Sequence, residues 1–275
     1  MLQKFLKLFK LGYPGFWQKK NNLIEKIIIL LLLPFTFIYY LASKFDKKLT
    51  KKNKVGIPVI SVGNINTGGS GKTPFVIYLV NLLKKEKINS HVVSRGYLGN
   101  LHGPVKVDLK KHSYKDVGDE ALLLAKETTT WVSKNKFEGT LMATLNGADV
   151  VILDDGLQNY SIHQNFKIMI VDGGFGFGNQ FLLPSGPLRE TISFGIKKSD
   201  MLIIFNKDEN GIEKKIKNKI TIIHANSKIK NFSQLKNKKI VGFSGIGRSE
   251  KFHSSLKDQK LNIINFFSYP DHYSY

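Results

Sequence analysis

The stretch that most constrains this chain is VISVGNINTGGSGKTP, between Val59 and Pro74. An apolar run enters a loop holding Gly63, Gly68, Gly69 and Gly71, and the loop closes on Lys72-Thr73. PFVIYLVNLLKKEK follows with helical spacing, Pro74 standing in its first turn. Strand, glycine loop, Lys-Thr and helix have the layout of a P-loop, with an ordinary glycine-rich strand–helix turn as the alternative, and the layout points to an α/β sheet with helices packed on it. Such a loop cradles phosphates because backbone N–H groups converge where no side chain blocks them, beside the positive end of a helix dipole. Asn66, Thr67, Gly68, Gly69, Ser70, Gly71, Lys72 and Thr73 are the expected nucleotide-binding residues. Lys72 is expected to reach the β- and γ-phosphates, and the Thr73 hydroxyl to ligate Mg²⁺. Asn66 stands where the strict pattern has Gly, and Asn tolerates the left-handed backbone such a turn requires.

Further apolar runs supply the other strands of an α/β fold. HVVSRGY is an apolar strand ending in Ser94-Arg95-Gly96-Tyr97, and Arg95 is either a substrate contact at the strand edge where open α/β sheets bind ligands or an ordinary strand-end charge. ADVVILDDG delivers Asp154 and Asp155 to the end of a buried strand, a Walker-B pattern in which one carboxylate holds Mg²⁺ directly or through water. KIMIVDG, DMLIIFN and KITIIHAN read as three more buried strands. VGDEALLLAKE starts a helix with Asp119 and Glu120 in its first turn, as dipole partners or as a base and a metal ligand. Between Gly173 and Glu190 runs a glycine-rich loop whose Phe175, Phe177 and Phe181 pack on a core or face lipid, and whose Arg189 is a candidate phosphate contact. Asn206-Lys207-Asp208 resembles a guanine-reading motif without its spacer residue, so guanine specificity is not supported.

Ahead of the P-loop, Ile27 to Ala42 carries no charge and is flanked by Lys26 and Lys44. As a helix it would be about 24 Å long, short of the roughly 30 Å hydrocarbon core, with a kink expected at Pro34. Distance from Met1 and the missing small-residue site argue against a cleaved signal peptide. A buried core helix competes with an in-plane or shallow membrane anchor, and the flanking lysines and aromatics favour the anchor. MLQKFLKLFK at the start reads as a basic amphipathic helix at the same interface. The formal charge of +21 attracts polyanions, either nucleic acid or an anionic membrane. No zinc, helix-turn-helix or RNP signature accompanies it, so no nucleic-acid partner is expected. The absence of cysteine excludes disulfides, thiolate metal sites and a Cys nucleophile.

Three segments follow: 1–54 a membrane-associated helical segment, 55–235 a P-loop core, and 236–275 the start of a smaller C-terminal α/β lobe. The fold class is α/β, P-loop NTPase-like, with a mostly parallel sheet and flanking helices. In order, SVGNINTGGSGKTP, SRGY, GDE, LDDGLQ, LLPSGPLRE, FSGIG and YPDH resemble the tetraacyldisaccharide 4′-kinases of lipid A biosynthesis. The resemblance implies transfer of the ATP γ-phosphate to the 4′-hydroxyl of tetraacyldisaccharide 1-phosphate, giving lipid IVA at the cytoplasmic face of the bacterial inner membrane. It implies Asp119 as general base paired with His272, Lys72 as charge stabiliser, and Thr73, Glu120, Asp154 and Asp155 as Mg²⁺ candidates. Arg95, Gln158 and Arg189 are its phosphate or sugar contacts, and its P-loop also lacks the first Gly. Two departures stand out. Asn159 replaces the family's His, and the Thr-Glu-Lys-Asp segment expected after the DH motif is missing, so a fragment or a curtailed second lobe is expected. A membrane-associated P-loop ATPase without a lipid acceptor is the alternative reading.

Overall fold

A computed structural model describes residues 14–19, 21–216, 218–227, 232–246, 249–270 and 273. The amphipathic start and His272 lie outside the described residues.

After a single 3₁₀ turn at Gly15–Trp17 the chain enters helix α1, Leu23–Leu49. It then alternates: β1 (Val59–Gly63), α2 (Lys72–Lys85), β2 (Ser90–Ser94), β3 (Val105–Lys106), α3 (Asp119–Ala125), β4 (Thr130–Val132) and α4 (Lys136–Leu145). Next come β5 (Val150–Asp154), β6 (Phe166–Asp172), α5 (Ile192–Lys198), β7 (Met201–Phe205), α6 (Ile212–Ile216) and β8 (Thr221–Ala225). β9 (Lys239–Ser244), α7 (Ser249–Asp258) and β10 (Asn262–Ser268) close the chain.

Eight strands form one sheet in the order β3-β4-β2-β5-β1-β6-β7-β8. Every pairing is parallel except β3 with β4. The inner strands are mostly apolar and buried, because helices cover both faces. Val62, Val76, Val80, Ile152 and Ile203 form the core under α2, and Ile65, Met169, Val171, Leu202 and Ile204 form another, which α5 and α6 cover with Ile196 and Ile212. β1 is central, so the loop leaving Gly63 lies at the crevice where the strand order turns back, the position at which open α/β sheets take ligands.

β9 and β10 pair in parallel as a separate two-stranded sheet, with α7 packed on it. Lys251 of α7 reaches across to the buried Asp172 carboxylate at the end of β6 and lies over the Phe205 ring.

α1 departs from the expectation of a short segment. It runs 27 residues without a break through Pro34, and Asn22 and Glu25 cap its start reciprocally. At 1.5 Å per residue that is about 40 Å. The apolar run is only its middle, extended by the capping box before and the lysine-rich turns after. Leu23, Ile27, Leu30, Leu31, Phe35, Ile38, Leu41 and Phe45 are all exposed and recur every three or four positions, and Pro34 shares their face. Ile29, Thr36 and Tyr39 lie on the opposite face and hold the helix to the core. The buried-core-helix reading is therefore wrong, because Ile29 alone among its residues is buried.

Candidate functional site

The site grows from the C-terminal ends of β1, β2 and β5. Gly68 and Gly71 adopt φ of 87° and 90°, the left-handed region that favours glycine. A Cβ on Gly71 would also stand 3.0 Å from the Phe205 ring. Gly71 caps α2, so the free N–H groups of that helix point into the loop.

Asn66 does not take the left-handed backbone expected of it. It is buried, its Nδ2 donates to Gly176 O at 2.8 Å, and it forms a β-bridge with Leu188. Thr67 N–H donates to Pro187 O, and Arg189 N–H to Ile65 O. The LLPSGPLRE loop thus splints the first half of the P-loop, and Asn serves there because its amide ties loop to loop. The same segment rests on α1: the Thr36 hydroxyl donates to Ser185 Oγ at 2.7 Å, and Tyr39 OH to Arg189 O at 3.0 Å. Of the loop aromatics, Phe177 enters the core while Phe181 stays exposed.

Lys72 donates to Asn64 Oδ1 at 3.2 Å and lies 3.8 Å from Asp155. Asn64 in turn donates to Gly68 O, which fixes both the lysine and the turn. Asp155 accepts from Arg189 Nη1 at 2.8 Å. Burial acts to raise its carboxyl, but Lys72 and Arg189 outweigh that and hold it below the usual carboxylate range. Asp154 is deeper. Burial pushes its carboxyl up, against the pull of Lys136, and Ser94 Oγ donates to its Oδ2. Buried Lys136 donates to the carbonyls of Val93 and Asp154, tying the ends of β2 and β5 together. Burial in turn lowers the Lys136 ammonium.

Gly118 sits at φ 82° where a Cβ would strike Tyr97 O, and it turns α3 toward the P-loop. Glu120 accepts from the Thr73 hydroxyl at 3.0 Å, while Asp119 stands exposed beside it. Arg95 is exposed at the end of β2. Gln158 and Arg189 face protein groups: Gln158 donates to Asn64 O and Glu190, and accepts from Arg189. Glu190 is buried and pairs with Lys198 at 2.7 Å. Asn159 accepts from Ser161 and shapes its own loop. The Asp208 carboxylate is taken up by the N–H groups of Asn210, Ile212 and Glu213, which leaves it no base-reading role.

Three buried oxygens here, Ser70 Oγ, Asp154 Oδ1 and Asp155 Oδ1, have no hydrogen-bond partner. With the Thr73 hydroxyl and Glu120 they are oxygen donors, the ligand type that a hard divalent cation takes. Among the described residues no cluster of three or more His, Asp or Glu could hold a metal alone. Such an ion would complete its shell from phosphate and water, as Mg²⁺ does. Asn64, Lys136, Glu190 and Lys198 escape sequence reasoning. An Asn following the β1 strand could have flagged the first, but nothing local marks the other three.

A family model described as tetraacyldisaccharide-1-P 4′-kinase matches residues 28–275. A tetraacyldisaccharide 4′-kinase of Paramagnetospirillum magneticum is 39% identical over 264 residues, covering 95% of this chain and 80% of the relative. One from Rhodospirillum rubrum is 36% identical, covering 95% and 79%. The crystal structure of LpxK from Aquifex aeolicus in complex with ATP superposes with a TM-score of 0.73 at 31% identity, over 90% of this chain and 83% of that one.

Proposed function

This chain belongs to the tetraacyldisaccharide-1-P 4′-kinase family, and from that premise we propose how its site carries the reaction. The chain is a kinase of lipid A biosynthesis, moving the γ-phosphate of ATP to the 4′-hydroxyl of a tetraacyldisaccharide 1-phosphate. The observation that carries the site reading is the Thr73–Glu120 hydrogen bond, which sets the exposed Asp119 beside the P-loop.

In this reading the triphosphate lies along residues 66–73, its oxygens taking the loop N–H groups and the Ser70 hydroxyl. Lys72 leaves Asn64 and Asp155 for the β- and γ-phosphates. The 4′-oxygen attacks γ-phosphorus, the β–γ bridging P–O bond breaks toward ADP, and the hydroxyl proton passes to the Asp119 carboxylate. His272 is proposed to orient that carboxylate. Mg²⁺, held by Thr73, Glu120 and the Asp154–Asp155 pair, would neutralise charge on the phosphates. Positioning and charge compensation supply most of the rate in phosphoryl transfer, and no covalent enzyme intermediate is required. Arg189 and Gln158 hold Asp155 and the P-loop in place, and Arg95 faces the incoming glycolipid. The exposed apolar face of α1 is turned toward the cytoplasmic leaflet of the inner membrane, where the acyl chains of the substrate lie. β9, α7 and β10, within residues 236–275, belong to a smaller C-terminal lobe.

The test is transfer of γ-³²P from ATP to tetraacyldisaccharide 1-phosphate in detergent micelles, comparing wild type with Asp119→Asn. Labelled lipid from wild type and a loss of about 10²-fold or more in kcat from the variant are expected for a general base. Equal labelling by both would remove Asp119 from that role. ATP hydrolysis with no lipid label from either would favour the ATPase alternative.

A further inference from the structure

On the side of the sheet that α5 and α6 cover, a groove of about 590 Å³ opens between those two helices. Its floor is made by Phe177, Ile212 and Ile216, whose buried sides belong to the adjacent core. Its rim carries Lys19, Lys197, Lys215 and Lys219, all exposed, and among the described residues no carboxylate lines it. The volume lies in the usual range for small-molecule sites, and an apolar floor under one sign of charge suits an anionic amphiphile.

Location narrows the occupant. Lys19 stands four residues ahead of the first residue of α1. Its neighbours are pinned: Trp17 Nε1 donates to Pro184 O, and Asn179 N–H to Trp17 O. The groove is therefore continuous with the end of the helix that bares an apolar face. A second basic recess, with Lys47, Lys52, Lys167 and Lys198 on its wall, flanks α5 on its other side. The whole face is lysine-rich beside the apolar helix, which is the charge pattern that an anionic leaflet attracts.

We propose that the α5–α6 groove binds one anionic phospholipid of the bilayer, an acyl chain on the apolar floor and the headgroup phosphate among the four lysines. This site is separate from the phosphoryl-transfer centre and holds a lipid that is not consumed. It gives the core a point of attachment to the leaflet besides α1, and two points fix an orientation that one leaves open.

Native mass spectrometry of the full chain in detergent provides the test, with dioctanoyl phosphatidylglycerol, dioctanoyl phosphatidylcholine and inorganic phosphate as probes. One retained phosphatidylglycerol is expected, and at most weak, non-stoichiometric adducts of the other two. Each lysine near an anionic headgroup is worth about 1 kcal/mol, so Lys215→Glu with Lys219→Glu should weaken binding about thirtyfold or more. Ser193→Trp fills the groove from its exposed edge and should abolish binding while circular dichroism and micellar kinase turnover stay at wild-type level. Equal retention of phosphatidylcholine, phosphate bound as tightly as the lipid, or either variant binding like wild type would overturn the proposal. So would a protein dimer that excludes the lipid, since it would make the groove an interface between copies.

Discussion

Glu190→Ala isolates the internal charge system that supports the catalytic edge. Glu190 is 6% exposed, and its carboxylate is the ion-pair partner of Lys198, whose side chain is 11% exposed. It also accepts from Gln158 Nε2 at 2.7 Å. Truncation leaves Lys198 with only Leu157 O as a hydrogen-bond acceptor, and Gln158 with only Asn64 O for its Nε2. Removing one partner of a buried pair costs about 3–5 kcal/mol. For a chain of this size that lowers Tm by roughly 6–20 °C. The loss should depend on pH with a defined sign. Burial already lowers the Lys198 ammonium in the fold, against the pull of Glu190, and without Glu190 it falls further. In the pH window between its folded value and the ordinary lysine value near 10.4 the unfolded chain binds the extra proton, so stability rises with pH. Thermal melts of wild type and variant from about pH 7 to about pH 10 should show the deficit narrowing. Lys198→Met added to Glu190→Ala should recover most of it, because no buried charge is then left alone. A deficit below about 1 kcal/mol, as for an exposed pair, or one that grows with pH, would refute the reasoning.

Two further outcomes follow from the P-loop. Gly71→Ala should weaken ATP binding about 5- to 150-fold by calorimetry, from about 1–3 kcal/mol of left-handed strain compounded by the close Phe205 ring, with secondary structure intact. Asn64→Ala should raise KM for ATP about 5-fold and leave KM for the glycolipid unchanged, since it removes the hydrogen bond that holds Gly68 O in the turn, about 1 kcal/mol.

How much of this was legible depends on how local each signal is. VISVGNINTGGSGKTP, VVILDD and GDE can be read because strand, turn and helix start are all encoded within a few residues. β4 is only Thr130–Val132, too short to show a period, and went unread along with β3 and α4. Asn66 does lie in the loop after β1, but without the left-handed backbone that the pattern predicts. Its backbone is ordinary, and its value lies in an amide reaching Gly176, a partner 110 positions away. Asn206-Lys207-Asp208 looked like a weakened base-reading motif until Asp208 proved to be occupied by the start of α6.

By itself the amino-acid order determined the longer strands, the glycine loop after β1, the carboxylates at the strand ends and the existence of an apolar helix ahead of them. Each follows from contiguous burial, glycine freedom or charge spacing. Only the tertiary structure decided that Lys136 underlies Asp154, that Glu190 neutralises Lys198, and that α1 packs through Ile29, Thr36 and Tyr39 while baring the rest of its apolar surface. The physical reason is the same in each case. A buried charge or a helix face is stabilised by groups that folding brings from a distant part of the chain, and local spacing carries no record of them.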